Sequence, residues 1–317
     1  MSEAETIERP LVSVIMPFLR AVDTIERAID SVLAQSMPRF ELVAVADGST
    51  DGSIAIVEGY AARDPRVRLL KYEKNGGPGF ARNRAIEAAR GEWIAVLDAD
   101  DWYAPRRLEL LVDAAAEAPI VVDNLMGREP YDGSQTGVLF EIMPKSLRVE
   151  DIVQHDVPGS TYNFGYLKPV VRRAFIEQHG LRYDESLRTG EDLMFLLGCC
   201  IRGGPIKTVS DALYHYNLQI SLKKKQISMT THSLPLDREM ASTLNALLVD
   251  HNDALDASAR HAIEARAGQL MNGADVSTFR YLLRRRDLAG ALKLFGASSK
   301  VRSYAFDKAR RSVLKRD

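Results

Sequence analysis

Disulfides, membrane spans and a dominant charge are all missing from this chain. Only two of its 317 residues are cysteine, the neighbours Cys199 and Cys200. That excludes a disulfide framework and suits a reducing compartment. No apolar run approaches the roughly 20 residues a membrane helix needs, so no transmembrane span is predicted. The start, MSEAETIERP, is acidic and polar, unlike a secretory signal, and a cytoplasmic protein is expected. A net charge of −1 gives no global case for nucleic acid as a partner. The near-neutrality hides an uneven spread. From Arg280 to Asp317, twelve Lys and Arg face three Asp, so the tail carries about +9 and the remainder about −10.

Hydrophobic residues make up 46% of the chain, enough for one large domain or two smaller ones. LVSVIM (11–16), FELVAVA (40–46), VRLLKY (67–72), WIAVL (93–97) and IVV (120–122) read as buried strands. Helical patterns separate them. Asp23, with Glu26 three residues on, predicts a capping box for the first helix, and a second helix is expected from about Ser53 to Arg63. FARNRAIEAAR, stopped by Gly91, forms a third, and Pro105 suits the first turn of a fourth running to about Ala118. Strand–helix alternation predicts an α/β fold with a mostly parallel sheet covered on both faces. Further on, VVRRAFIEQHG (170–180) and TGEDLMFLLGCCIRGG (189–204) read as helices and IKTVSDALYHYNLQ (206–219) as extended chain. Beyond about residue 230 the pattern is helical.

Ligands of such sheets sit beyond the carboxyl ends of the strands. Pro17–Phe18, Asp47–Gly48–Ser49, Asn75–Gly76–Gly77 and Asp98–Ala99–Asp100 all follow strand ends, so one rim of the sheet should collect them. The stretch WIAVLDADDWYAP (93–105) is the most demanding: neighbouring carboxylates repel unless a cation, a donor or open water compensates. Either it is a polar turn capping the next helix, or it is a metal and substrate site.

VSVIMPF, VADGSTDGS, NGGPGFARNRAI, LDADD and GEDLMF, in that order and spacing, resemble the family 2 glycosyltransferases of GT-A fold over residues 11–218. VVDNLM and GLRYDESLRTGED look most like the succinoglycan-type exopolysaccharide glucosyltransferases of that family. The resemblance implies an inverting transfer of a hexose from a UDP-sugar, UDP-glucose by preference, to a hydroxyl of a glycan or lipid-linked acceptor. It also implies Mg²⁺ or Mn²⁺, which take hard oxygen ligands and neutralise diphosphate charge. By the same resemblance Asp100 is first choice as metal ligand. Asp98 assists or meets the ribose, with Asp101 as alternate, and His215 is a late metal ligand, a contact to the diphosphate or a structural histidine between tyrosines. Pro17, Phe18, Asp47, Asn75, Arg82, Asp98, Ala99 and Asp100 line the nucleotide site. Asp47 accepts from the base, and Arg82 serves phosphate or base. One departure stands out: the family has two aspartates before Gly48, and here the first is Ala46. Asp192 is the matched general base, with Glu191 as understudy, and a single base predicts inversion at the anomeric carbon.

Several residues carry two readings. Trp102 and Tyr103 either stack on a sugar or pack as core, Arg188 and Asp123 are candidates for the acceptor side, and Cys199–Cys200 read as core packing. Gly76, Gly77 and Gly79 either admit the nucleotide to the backbone or only shape a turn, and Asn83 is a polar neighbour. The expected organisation is a flexible 1–10 and a catalytic domain 11–220, halved into 11–122 for the nucleotide and 123–220 for the acceptor. A basic helical region 221–317 follows, placed on anionic lipid at the inner membrane, in a dimer contact, or simply in solvent. Two other functions compete: a nucleotidyltransferase making the sugar nucleotide, and a sugar-nucleotide binder without turnover.

Overall fold

A computed structural model describes residues 9–129, 132–155, 163–218 and 237–313. The chain forms two compact units, Met1–Met229 and Thr230–Asp317. The boundary expected at 220/221 lies outside the described residues, as does most of the expected flexible start.

The first unit is built on one ten-stranded sheet. Its opening strands are β1 (Val12–Phe18), β2 (Phe40–Asp47), β3 (Val67–Tyr72) and β4 (Trp93–Val96). They pair in parallel in the order β3-β2-β1-β4. Every residue of β2 is buried, as expected of a parallel strand covered on both faces. Helices α1 (Ile25–Leu33), α2 (Ser53–Ala61) and α3 (Pro78–Ala88) make the crossovers. Successive strands are added on one side of β1 as β2 and β3 and then on its other side as β4, so the ligand-binding switch point falls at the carboxyl ends of β1 and β4.

Beyond β4, the short β5 (Trp102–Tyr103) leads to α4 (Arg107–Ala114) and the long β6 (Ile120–Arg128). The strands β7 (Gln135–Val138) and β8 (Ser146–Leu147) and the helix α5 (Val149–His155) follow. Next come β9 (Val170–Arg172), α6 (Arg173–Gln178), α7 (Glu191–Gly203) and β10 (Ile206–Asn217). The full order is β3-β2-β1-β4-β9-β6-β10-β5. β9 runs antiparallel to both β4 and β6, while β10 is parallel to β6. Strands from residues 11–122 and from 123–220 therefore share one sheet.

Two expectations need correction. Residues 170–172 form a strand, because Val170 and Val171 are buried between β4 and β6, where β-branched side chains pack well; the helix begins only at Arg173. The capping box also fails. α1 starts at Ile25 after Thr24, which makes no side-chain cap, because the Ala21 carbonyl accepts from Thr24 and Ile25 and Asp51 accepts from the Val22 amide.

The second unit holds α8 (Asp237–Asp250), α9 (Ala257–Arg284), α10 (Leu288–Ala297) and α11 (Ser299–Val313). Asp256 and Asp287 cap α9 and α10, accepting from Ala259 and Gly290 amides. Phe279, Ala291 and Val301 form a small core.

One buried ion pair fixes the middle of the sheet. Arg107 of α4 and Asp123 of β6 are both 0% exposed and pair through two hydrogen bonds, Nε to Oδ2 at 3.0 Å and Nη2 to Oδ1 at 2.8 Å. Asp123 is thus a packing residue and not an acceptor contact, since no face of it is open. Removing one partner strands a buried charge. Asp123→Ala is expected to cost about 3–5 kcal/mol of stability, read by denaturant unfolding; a loss below about 1 kcal/mol would contradict this role.

Candidate active site

The expected strand ends do converge on one rim. Pro17 and Phe18 close β1 beside Val45 and Ala46 of β2. Asp47, which ends β2, is buried and accepts from the Gly76 and Gly77 amides, 2.8 Å on each oxygen. These are two of the four hydrogen bonds a carboxylate can take, and they pin the loop that opens α3. Gly77 has φ of +98°, a conformation glycine adopts freely, and Pro78 then occupies the first helical turn. Asn75 accepts from Arg188 at 3.2 Å, so Arg188 braces this nucleotide-side loop. Ala99 is buried.

The three aspartates of LDADD go three ways. Asp101 turns inward, accepting from the Tyr214 hydroxyl at 2.7 Å and the Asn217 amide at 2.7 Å. It ties the loop to β10 and is no alternate metal ligand, because both oxygens face protein donors. Asp98 also turns inward, to two cations. Asp100 alone points to solvent.

The cations are Arg82 of α3 and Lys168, which precedes β9. Arg82 donates from Nη2 to Asp98 at 2.5 Å and from Nη1 to Glu191 at 2.7 Å, with Asp192 Oδ1 3.2 Å from Nη1. Lys168 Nζ lies 2.8 Å from Asp98 Oδ2 and 2.5 Å from Asp192 Oδ2. Two buried cations therefore hold three carboxylates drawn from the loop after β4 and the first turn of α7. Burial opposes ionisation of Asp98, but Lys168 and Arg82 outweigh it and hold the carboxyl well below its usual range. Burial likewise opposes the charge on Lys168, and Asp192 with Asp98 reverses the effect, raising the ammonium above its ordinary value. Glu191 moves the other way, raised by burial and by Asp192 against Arg82. Asp192 Oδ1 is buried without a hydrogen bond.

The expected phosphate or base role for Arg82 meets a plain obstacle: its guanidinium is committed to carboxylates at 3% exposure. Lys168 was invisible in sequence, a lone lysine in YLKPVV with no motif around it. A carbonyl bond helps to place it, for Arg107 Nη2 donates to the Lys168 oxygen at 2.7 Å. Asn83 is also structural, exchanging hydrogen bonds with the Tyr183 backbone. Gly79 allows that approach, since a Cβ there would lie 2.8 Å from the Asp184 carbonyl oxygen. Tyr183 in turn stacks on Phe195 of α7, centroids 4.2 Å apart, so α3 and α7 are locked together. Cys199 and Cys200 are core residues.

His215 does not fit the late metal ligand expected of it. Its Nδ1 lies 3.2 and 3.0 Å from Nε and Nη2 of Arg128. Guanidinium can only donate, so Nδ1 accepts. Burial, Arg128 and Arg27 push the imidazole down to about 4; its single proton then sits on Nε2, and neither nitrogen offers a free lone pair. Trp102 is no open sugar platform, because Arg27 covers its ring at 3.6 Å. Tyr103 is core.

Among the described residues no three acidic, histidine or cysteine side chains form a metal cage. The donors that do exist suit Mg²⁺ or Mn²⁺, which commonly take one or two carboxylates and complete their shell with substrate phosphates and water. Asp100 is the hard oxygen donor left facing solvent. Although water reaches it and screens part of the effect, crowding by protein and the neighbouring Asp98 push its carboxyl up to about 6, the condition a cation would relieve.

Comparison with known proteins agrees with this architecture. The model of the glycosyl transferase family 2 matches residues 13–175. The succinoglycan biosynthesis protein ExoO of Rhizobium meliloti (strain 1021) is 37% identical over 303 residues, covering 90% of this chain and 80% of ExoO. ExoU of the same organism is 33% identical, covering 64% of this chain and 60% of its own. Among solved structures, S. aureus TarS 1-349 in complex with UDP-GlcNAc superposes with a TM-score of 0.66 at 22% identity, covering 86% of this chain and 79% of that 1-349 chain. The mannosyltransferase PcManGT from Pyrobaculum calidifontis, in complex with GDP-Man and Mn²⁺, gives 0.59 at 19% identity, with coverage of 96% and 80%. The chain belongs to glycosyl transferase family 2, and its fold is GT-A.

Asp100 carries a pH signature. Its folded-state value lies above the unfolded carboxylate's, about 3.9, so its ionisation lowers stability as pH rises through that interval. In metal-free buffer Asp100→Asn is expected to melt above the wild type at about pH 8, with the gap closing by about pH 4. Equal melting temperatures at the higher pH would contradict the uncompensated charge.

Proposed function

We propose that this glycosyltransferase is metal-dependent and inverting, and moves a hexose from a UDP-sugar, UDP-glucose by preference, to a hydroxyl of a glycan or lipid-linked acceptor in exopolysaccharide assembly. The observation that carries the reading is the junction of Asp98, Glu191 and Asp192 on Arg82 and Lys168, beside a solvent-facing Asp100. Family membership disfavours the nucleotidyltransferase alternative. The names of the succinoglycan relatives support the polymer class, and neighbours crystallised with UDP-GlcNAc or with GDP-Man and Mn²⁺ support a nucleotide-sugar donor and a divalent ion.

In this reading Pro17, Phe18, Asp47 and Asn75 line the nucleotide end, and Asp100 holds the cation. When bound, Mg²⁺ or Mn²⁺ neutralises charge on the departing diphosphate. Asp192 takes the acceptor proton. Lys168 occupies its Oδ2; Oδ1 lies 3.2 Å from Arg82 Nη1 without making a hydrogen bond and is the oxygen left to accept from the acceptor hydroxyl. The proton passes to this carboxylate as the hydroxyl attacks the anomeric carbon and the bond to the diphosphate breaks. With no carboxylate assigned as nucleophile, an α-linked donor yields a β-linked product.

Contact of the basic C-terminal helices with an anionic inner membrane is proposed from exposed Leu288, Leu292 and Phe306 among cationic residues; equal liposome sedimentation of wild type and a serine triple variant at these positions would remove it. No helix among the described residues is long and apolar enough to cross a membrane. A homodimer at the cytoplasmic face is left to a mass measurement in solution.

The central test is turnover. Asp192→Asn is expected to lower kcat by roughly 10²–10⁴ while still binding UDP, Asp100→Ala and chelator to abolish transfer, and NMR to show a β-linkage. Full turnover in chelator, or an α-linked product, would contradict the proposal.

A further inference from the structure

The rim beyond Asp100 holds positive charge that the proposed transfer leaves unused. Arg27, in the first turn of α1, places its guanidinium carbon 3.6 Å from the Trp102 ring centroid and donates to the Asp100 carbonyl oxygen at 3.0 Å. Arg128, the last residue of β6, lies 5.4 Å from the same ring and donates to His215 Nδ1. The His215 ring is tilted against Trp102, centroids 5.3 Å apart. Two guanidiniums from different elements thus surround one indole.

Among the described residues neither arginine forms an ion pair with a carboxylate. The nearest acids are spoken for: Asp101 is bonded to Tyr214 and Asn217, and Asp100 meets Arg27 only through its carbonyl. Partial burial pulls Arg27 below its ordinary value and Arg128 adds to this, against Asp101 and Asp100; burial acts likewise on Arg128. Bringing two like charges together without an anion is unfavourable. The neighbouring carboxylates form no ion pair with either guanidinium, but the ring and imidazole beside them do supply orientation. A ring face and an imidazole lone pair fix the two planar forks, and such forks match the oxygens of a phosphate.

We propose that Arg27 and Arg128 form a phosphate-binding subsite on the β6–β10 side of Asp100, with Trp102 and His215 holding the guanidiniums in place. Its ligand is a phosphate or diphosphate ester, and two sources carry that chemistry: the diphosphate of the nucleotide donor, and the diphosphate of a lipid-linked acceptor. On the sheet, Asp47 of β2 and Arg128 of β6 lie on opposite sides of β4, so the subsite is separate from the base-binding end.

Binding, not turnover, tests this, so the subsite can fail while the transfer reading stands, and the reverse. Inorganic pyrophosphate is titrated calorimetrically into the full chain in metal-free buffer, with wild type, Arg27→Gln, Arg128→Gln, the double variant, and the paired lysine variants that keep charge but lose the fork. Each single glutamine variant is expected to weaken binding roughly tenfold, the lysine pair less, with unchanged melting temperatures. Two further titrations separate the sources. Weakening of UDP with Mn²⁺ assigns the subsite to the donor, and weakening of geranyl diphosphate alone assigns it to the acceptor. No pyrophosphate binding by wild type, or equal binding of all three probes by wild type and the double variant, would overturn the proposal.

Discussion

Three carboxylates within a few ångströms of one another have to be compensated, and here two buried cations do it. Arg82 and Lys168 sit between Asp98, Glu191 and Asp192 at 2.5–3.2 Å. Losing either cation would leave a like-charge cluster at low exposure, the arrangement physical chemistry tolerates least. The cluster is therefore a strut, and the proposed function makes it a site as well. It links the end of β4, the first turns of α3 and α7, and the segment before β9, four stretches spread over 110 residues of sequence.

The fold is arranged around that strut. The β4 strand delivers Asp98 and Asp100 at the switch point of the sheet. The α3 helix starts sharply because Gly77 and Pro78 suit its first turn and because Asp47 grips the loop before it. Asn83 and Gly79 then hold α3 against the segment leading to α7, which brings Glu191 and Asp192 in. On the other side, the Arg107–Asp123 pair braces β6 and hands one hydrogen bond to the Lys168 carbonyl. Function in this reading follows from the one carboxylate the strut leaves out: Asp100 faces water and is free to meet a cation and a diphosphate.

Much of this was legible in the sequence, for definite reasons. Buried parallel strands announce themselves as apolar β-branched runs, so β1 to β4 and their loops could be placed, and the rule for strand ends grouped Asp47, Asn75 and Asp98 to Asp100 correctly. The ordered motifs carried the family. What could not be read was pairing across distance. Arg82 looked like a phosphate ligand because two of its three acidic partners, Glu191 and Asp192, lie over a hundred residues away. Lys168 has no local pattern, and Asp123 looked available because nothing in VVDNLM reveals Arg107. His215 resembled a ligand because nothing in LYHYNL reveals Arg128 on its Nδ1. Residues 170–172 read as helix because three residues are too few to show a period of two. LDADD takes something from both of its readings: its charge is tolerated through protein cations and β10 donors at two of the three aspartates, and the proposed metal concerns only the third.

The central claim is that Arg82 and Lys168 stay on the carboxylates while Asp100 takes the metal. Anomalous diffraction from crystals grown with UDP and Mn²⁺ tests it directly. The account predicts a manganese peak at Asp100, with Arg82 still on Asp98 and Glu191 and Lys168 still on Asp98 and Asp192. Manganese bound by Asp98 with Lys168 displaced, or Arg82 turned onto the diphosphate, would contradict it.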